Sequence, residues 1–166
     1  MKKLSILFVL LFALSGCKIA LNGASIPAEM KTVNVQVFDN NAPLVVPYLS
    51  SQFTEELKTR IRNQTRLSIT TNDAQGVFSG NITGYSVTPE AIVDNNRPTA
   101  DANRLTISIR VKYTNNLNPK QSFEETFERY KVFKLVGSLQ SMEQGLIKDV
   151  TAQLTEDIFN RAFAQW

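Results

Sequence analysis

Residues 104–115 alternate without a break, Leu105, Ile107, Ile109, Val111 and Tyr113 against Thr106, Ser108, Arg110, Lys112 and Thr114. A period of two sends successive side chains to opposite faces of a strand. This stretch is therefore stable only where a second layer covers its apolar side and the polar side meets water or a polar partner. After a turn at 116–121 containing Pro119, residues 122–133 return as a strand, with Phe123 and Phe127 on one side and Glu124, Thr126 and Glu128 on the other. Arg110 and Lys112 are then expected across from Glu124 or Glu128. Such cross-strand ion pairs contribute about 0.2–1 kcal/mol each.

The remaining chain supplies the second layer. Residues 32–38 alternate Val33, Val35 and Val37 with Thr32, Asn34 and Gln36, a first strand, and Asp39-Asn40-Asn41-Ala42-Pro43 ends it as a turn. From 47 to 63, Leu49, Phe53, Leu57 and Ile61 recur every four residues, the spacing of an amphipathic helix, with Pro47 suited to its first turn or Ser50 or Ser51 to a later cap. Residues 67–71 read as a short strand and 77–87 as a longer one. Gly80 and Gly84, four apart and on one face, imply a bulge, a strong twist or bulky packing overhead. Residues 88–103, with Pro89, Asp94-Asn95-Asn96, Pro98 and Asp101, have no periodicity and read as a long loop, a candidate contact with a partner. Ser141-Met142-Glu143-Gln144 has the form of a capping box, and Met142, Leu146, Val150, Leu154 and Ile158 mark a last helical seam, leaving Phe163 and Trp166 to be buried. The order predicts an α/β (α+β) two-layer sandwich, a mixed sheet of four to five strands with two helices packed on one face. The first two strands should pair in parallel through the helix and the later ones antiparallel.

The N-terminal segment determines where such a domain works. Met1-Lys2-Lys3 precedes an apolar run to Leu14 broken only by Ser5, too short for a permanent membrane span and flanked as a secretory leader is. Leu14-Ser15-Gly16-Cys17 then reads as a lipobox. Residues 1–16 are accordingly a signal peptide, 17–31 the lipidated N-terminus with a short tether, and 32–166 one domain. Cys17 is the predicted lipidation site. Each buried methylene of an acyl chain adds about 0.8 kcal/mol, so two or three chains anchor durably.

Composition narrows the chemistry. The formal charge of +3 includes Lys2 and Lys3, so the chain from Cys17 carries 3 − 2 = +1, and its cations are dispersed among acids, unlike a nucleic-acid-binding stripe. There is no histidine and a single cysteine. No metal site or cofactor is expected beyond the covalent lipid, and no intrachain disulfide. No catalytic residue is assigned: Ser-His and Cys-His systems need histidine, and the adjacent acids Glu55-Glu56, Glu124-Glu125 and Glu156-Asp157 point apart on a helix or strand.

Taken together, the lipobox, Gly23-Ala24-Ser25-Ile26-Pro27, Asn40-Asn41-Ala42-Pro43, Gly80-Asn81-Ile82-Thr83-Gly84-Tyr85, Asn103-Arg104-Leu105-Thr106 and Asp157-Ile158-Phe159-Asn160-Arg161-Ala162-Phe163 resemble the LptE family of lipopolysaccharide-assembly lipoproteins over nearly the whole chain after Cys17. The resemblance implies a lipid-anchored protein on the periplasmic side of the outer membrane. Its implied partners are lipopolysaccharide and a large outer-membrane β-barrel translocon, which it plugs and helps assemble. It transfers no ligand-contacting motif position by position. Arg110 and Lys112, two cations on one strand face, are the candidate contacts to lipid phosphate or barrel. The competing expectation is a different periplasmic envelope lipoprotein, an activator or scaffold for another complex. A protein reaching through the cell wall should carry a long tether, which residues 18–31 do not provide.

Overall fold

The computed structural model describes residues 26–94 and 97–164, the side chains of 91–101 excepted. The lipobox with Cys17 and the residue Trp166 lie outside the described residues. The elements run β1 (Thr32–Val35), β2 (Asp39–Asn40), α1 (Leu49–Gln64), β3 (Ser68–Ile69), β4 (Gly76–Asp94), β5 (Arg97–Asn115), a 3-10 turn (Pro119–Gln121), β6 (Phe123–Lys134) and α2 (Leu139–Phe163). The strands form one mixed sheet in the order β3-β1-β4-β5-β6, with β2 beside β4 beyond the end of β1. As expected, β1 and β3 pair in parallel through the α1 crossover, and β4, β5 and β6 are antiparallel neighbours. β4 also pairs with β1 in parallel.

Both helices cover one face. Leu49, Phe53, Leu57 and Ile61 of α1 and Leu146, Ile147, Val150, Leu154 and Ile158 of α2 are buried against Phe78 and Ile82 of β4 and the β5 row from Leu105 to Tyr113. Each fully buried side chain of this kind stabilises by about 1.5–3 kcal/mol. Phe78, Tyr113, Phe123, Phe159 and Phe163 join edge-on or tilted at one end of the core, which places Phe163.

Several local expectations are corrected. The turn at 39–43 begins with a strand: Asp39 and Asn40 pair with Asn81 and Ile82. The first strand's alternation also slips, so Val37 is exposed and Phe38 buried. The slip lets the Phe38 ring lie over Gly80, where an added Cβ would come within 2.9 Å of Phe38 Cε1 and 2.0 Å of the Arg110 carbonyl oxygen. Gly80 adopts φ +154°, a region that only glycine enters freely. A bulge between Ile82 and Gly84 then reverses the inward and outward sides of β4. Gly84 consequently faces Ser108 on the uncovered side rather than sharing a face with Gly80.

The expected loop at 88–103 is instead a hairpin arm, because the pairing of β4 with β5 continues to Asp94 opposite Arg97. Beyond Ile82, β4 is an edge strand among the described residues, where the missing donor of Pro89 is tolerated. The caps differ too. Tyr48 occupies the N-cap of α1 without a side-chain capping bond, and Ser50 and Ser51 turn back to the carbonyls of Phe38 and Tyr48. Helix α2 starts earlier than the capping-box reading, with Ser138 accepting from the Ser141 N–H.

Candidate interaction surface

Among the described residues, the face of the sheet opposite the helices has no second layer beyond one short segment. Residues 70–75 cross β1 there, held by Asn34 Nδ2 donating to the Thr71 carbonyl and by the Gln75 N–H donating to Thr32 Oγ1. The rest is polar, as the β5 alternation requires. Arg110 sits between Asn81 of β4 and Thr126 of β6, and Lys112 between Ser79 and Glu124. Both are exposed, and neither makes a hydrogen bond or ion pair among the described residues. The register thus places Lys112 across from Glu124 but forms no ion pair. Glu128 lies opposite Ser108 and accepts its hydroxyl at 2.6 Å. A shallow recess of about 390 Å³ opens beside Arg110, bordered by Glu124, Glu125 and Thr126. Cations and carboxylates therefore share this surface, with Arg110 and Lys112 left free to bind an external anion.

Toward the hairpin arm the same face changes character. Arg104 donates to Glu90 Oε1 at 2.6 Å and stacks its guanidinium 4.2 Å from the centre of the Tyr130 ring. Tyr130 remains 49% exposed, and Val132, Leu135 and Val136 follow it as exposed apolar side chains. This amphipathic patch was missed in the sequence, although extending the β6 alternation from Glu128 to Tyr130 and Val132 would have found it. Behind it, Glu143 accepts from the hydroxyls of Tyr85, at 2.7 Å, and Tyr48, at 3.4 Å, joining β4, α1 and α2. Burial, reinforced by Glu143, pushes both phenols above their ordinary range.

The adjacent acids are dispersed among different partners. Glu55 meets Lys58, Glu56 accepts from Thr151, Glu125 from Arg161 and Asp157 from Arg129, while Glu156 stands 4.0 Å from Arg60. No pair converges on a common point where a substrate could sit. Among the described residues, no three His, Cys, Asp or Glu side chains cluster to hold a metal.

Residues 30–162 match the family model described as LptE, lipopolysaccharide-assembly. The chain belongs to the LptE family. Membership assigns it to lipopolysaccharide assembly, and the LptE match runs from just before β1 to one residue short of the end of α2. No curated protein matches the chain. Solved structures share the LptE-like fold at low identity. A minor lipoprotein from Acinetobacter baumannii matches at 11% identity and a TM-score of 0.51, over 79% of this chain and 91% of that one. An uncharacterized lipoprotein B from Nitrosomonas europaea matches at 12% identity and a TM-score of 0.54, over 87% and 88%. Protein XCC0632 from Xanthomonas campestris matches at 7% identity and a TM-score of 0.55, over 82% and 87%.

Proposed function

We propose that this LptE-family protein is held at the periplasmic side of the outer membrane by lipid on Cys17, where it plugs and helps assemble a β-barrel translocon. The open face of its sheet presents Arg110 and Lys112 to the phosphates of lipopolysaccharide. The observation that carries the reading is the pair of exposed cations, two residues apart on one strand, that have no partner among the described residues. A surface bearing Thr106, Ser108, Thr126 and Glu128 around them also suits a wet barrel lumen, which is polar inside. Charge-assisted hydrogen bonds to phosphate contribute about 1.5–3 kcal/mol each.

The test has two arms. Affinity purification of the tagged, lipidated protein from solubilised membranes should recover a large outer-membrane β-barrel at one-to-one stoichiometry. Recovery of a different envelope complex would favour the activator or scaffold reading. Arg110→Glu with Lys112→Glu should lower lipopolysaccharide binding at least about tenfold while leaving the fold intact, and unchanged binding would remove these two residues from the contact.

A further inference from the structure

The end of the domain from which the N-terminal segment departs is built differently from the hairpin end. Ile26 packs against the core, the Pro27 carbonyl accepts from Met30 N–H, and the Lys31 and Thr32 N–H groups donate to Gln75 Oε1. The Asn116 N–H donates to the Gln75 carbonyl and its side chain to Ala74, which draws the β5–β6 turn to the same end. Asn115, 2% exposed, braces that turn. Its Oδ1 accepts from the Leu117 and Asn118 N–H groups and its Nδ2 donates to Gln121. The braced turn holds Leu117 outward, 46% exposed.

At the same end of the sheet lie Lys31, just before β1, Arg66, two residues before the β3 strand that pairs with β1, and Lys120 in the 3-10 turn. All three are exposed and make no side-chain hydrogen bond or ion pair among the described residues. The acids closest in sequence are Glu29 to Lys31, Asp73 to Arg66 and Glu124 to Lys120. From Cys17 to Ile26 there are nine Cα steps, which reach at most about 30 Å. A lipid on Cys17 would therefore keep this end near a bilayer surface, where an anionic leaflet attracts each cation by about fivefold in equilibrium constant.

We propose that this end docks directly on an anionic bilayer surface, with Leu117 entering the interface and Lys31, Arg66 and Lys120 pairing with lipid phosphates. The proposal rests on the reading of Cys17 as the lipidated residue.

The full chain, processed in a Gram-negative host, is first checked by mass spectrometry for acylation of Cys17. It is then reconstituted in phosphatidylcholine vesicles with and without phosphatidylglycerol. Because Cys17 is the sole cysteine, Asn118→Cys supplies one free thiol for an environment-sensitive fluorophore, and Gln140→Cys supplies the control at the start of α2. The probe at 118 should shift to the blue on anionic vesicles only and return toward its aqueous spectrum at high salt, while the probe at 140 stays aqueous. Combining Lys31→Glu, Arg66→Glu and Lys120→Glu should reduce the docked population about a hundredfold, with flotation of the acylated protein unchanged. Leu117→Ser should diminish the shift with the cations intact. An unacylated Cys17 overturns the anchoring and the docking together. A properly acylated protein whose 118 probe stays aqueous, keeps its shift after charge reversal, or shifts only when a co-purified barrel is present overturns the docking alone.

Discussion

Arg129 and Asp157 are joined by two parallel hydrogen bonds, Nε to Oδ2 at 2.5 Å and Nη2 to Oδ1 at 2.8 Å, across the seam between β6 and α2. Arg161 with Glu125 and Lys131 with Asp149 repeat the connection on either side, so three residues on one side of an edge strand are tied to the helix above. The hydrogen bond to Asp157 holds the Arg129 guanidinium above its already high ordinary range. Charged side chains along this edge also discourage pairing with another chain's strand.

These pairs are half in water, so each is worth at most about 1 kcal/mol. Arg129→Ala should lower stability by about that amount, and adding Arg161→Ala and Lys131→Ala should lower it further in small, nearly additive steps. Urea denaturation at low and high salt checks this. The losses should shrink as salt rises, and a salt-independent loss would instead point to packing of the arginine stems on β6.

Tyr85 and Glu143 give a pH dependence of defined sign. Burial, with Glu143 as the lesser cause, raises the phenol above 10.0, and burial alone pushes Tyr113 up to about 12. A group whose pKa is higher in the folded state stabilises fully below its unfolded pKa and loses that contribution as pH rises toward the folded value. Stability should therefore be flat near neutrality and fall above about pH 10. Tyr85→Phe should flatten part of this alkaline decline and cost about 1.5–3 kcal/mol at neutral pH through the lost bond to a carboxylate. Denaturation midpoints across the alkaline range measure both effects.

Three glycines should respond in three ways to alanine. Gly80→Ala places a Cβ against the Arg110 carbonyl at an unfavourable φ and should destabilise by about 2 kcal/mol or more. At Gly84 the new methyl would stand 3.3 Å from Ser108 Oγ, a flexible end, so a small loss is expected. Gly145 lies within α2 with open space around it, and Gly145→Ala should stabilise by about 0.8–1.0 kcal/mol. Thermal melting of the three variants should rank them in this order.

Much of the fold was legible because burial imposes a period. The β5 row, the two helical seams and the parallel pairing through α1 follow from apolar residues that must share one side. The open polar face and the positions of Arg110 and Lys112 on it follow from the same alternation. What misled was local chemistry. Prolines and Asx residues at 88–103 have the composition of a loop, yet strand pairing begun in the core carries the ribbon through them. Ser141 and Glu143 have capping-box spacing, but Ser138 supplies the cap and Glu143 turns inward to two tyrosines.

By itself the sequence determined the two-layer architecture, the inward row of β5 and the placing of two cations on its other face, since each depends on neighbours along the chain. Only the tertiary structure decided that Gly80 lies under Phe38 and Gly84 on the opposite face. It also decided that Glu128 is taken by Ser108, that Tyr130 lies against Arg104, and that Lys31, Arg66 and Lys120 lie at one end of the sheet. These relationships depend on bulges, strand register and crossing segments, where a shift of one residue exchanges the two faces and residues far apart in sequence become neighbours.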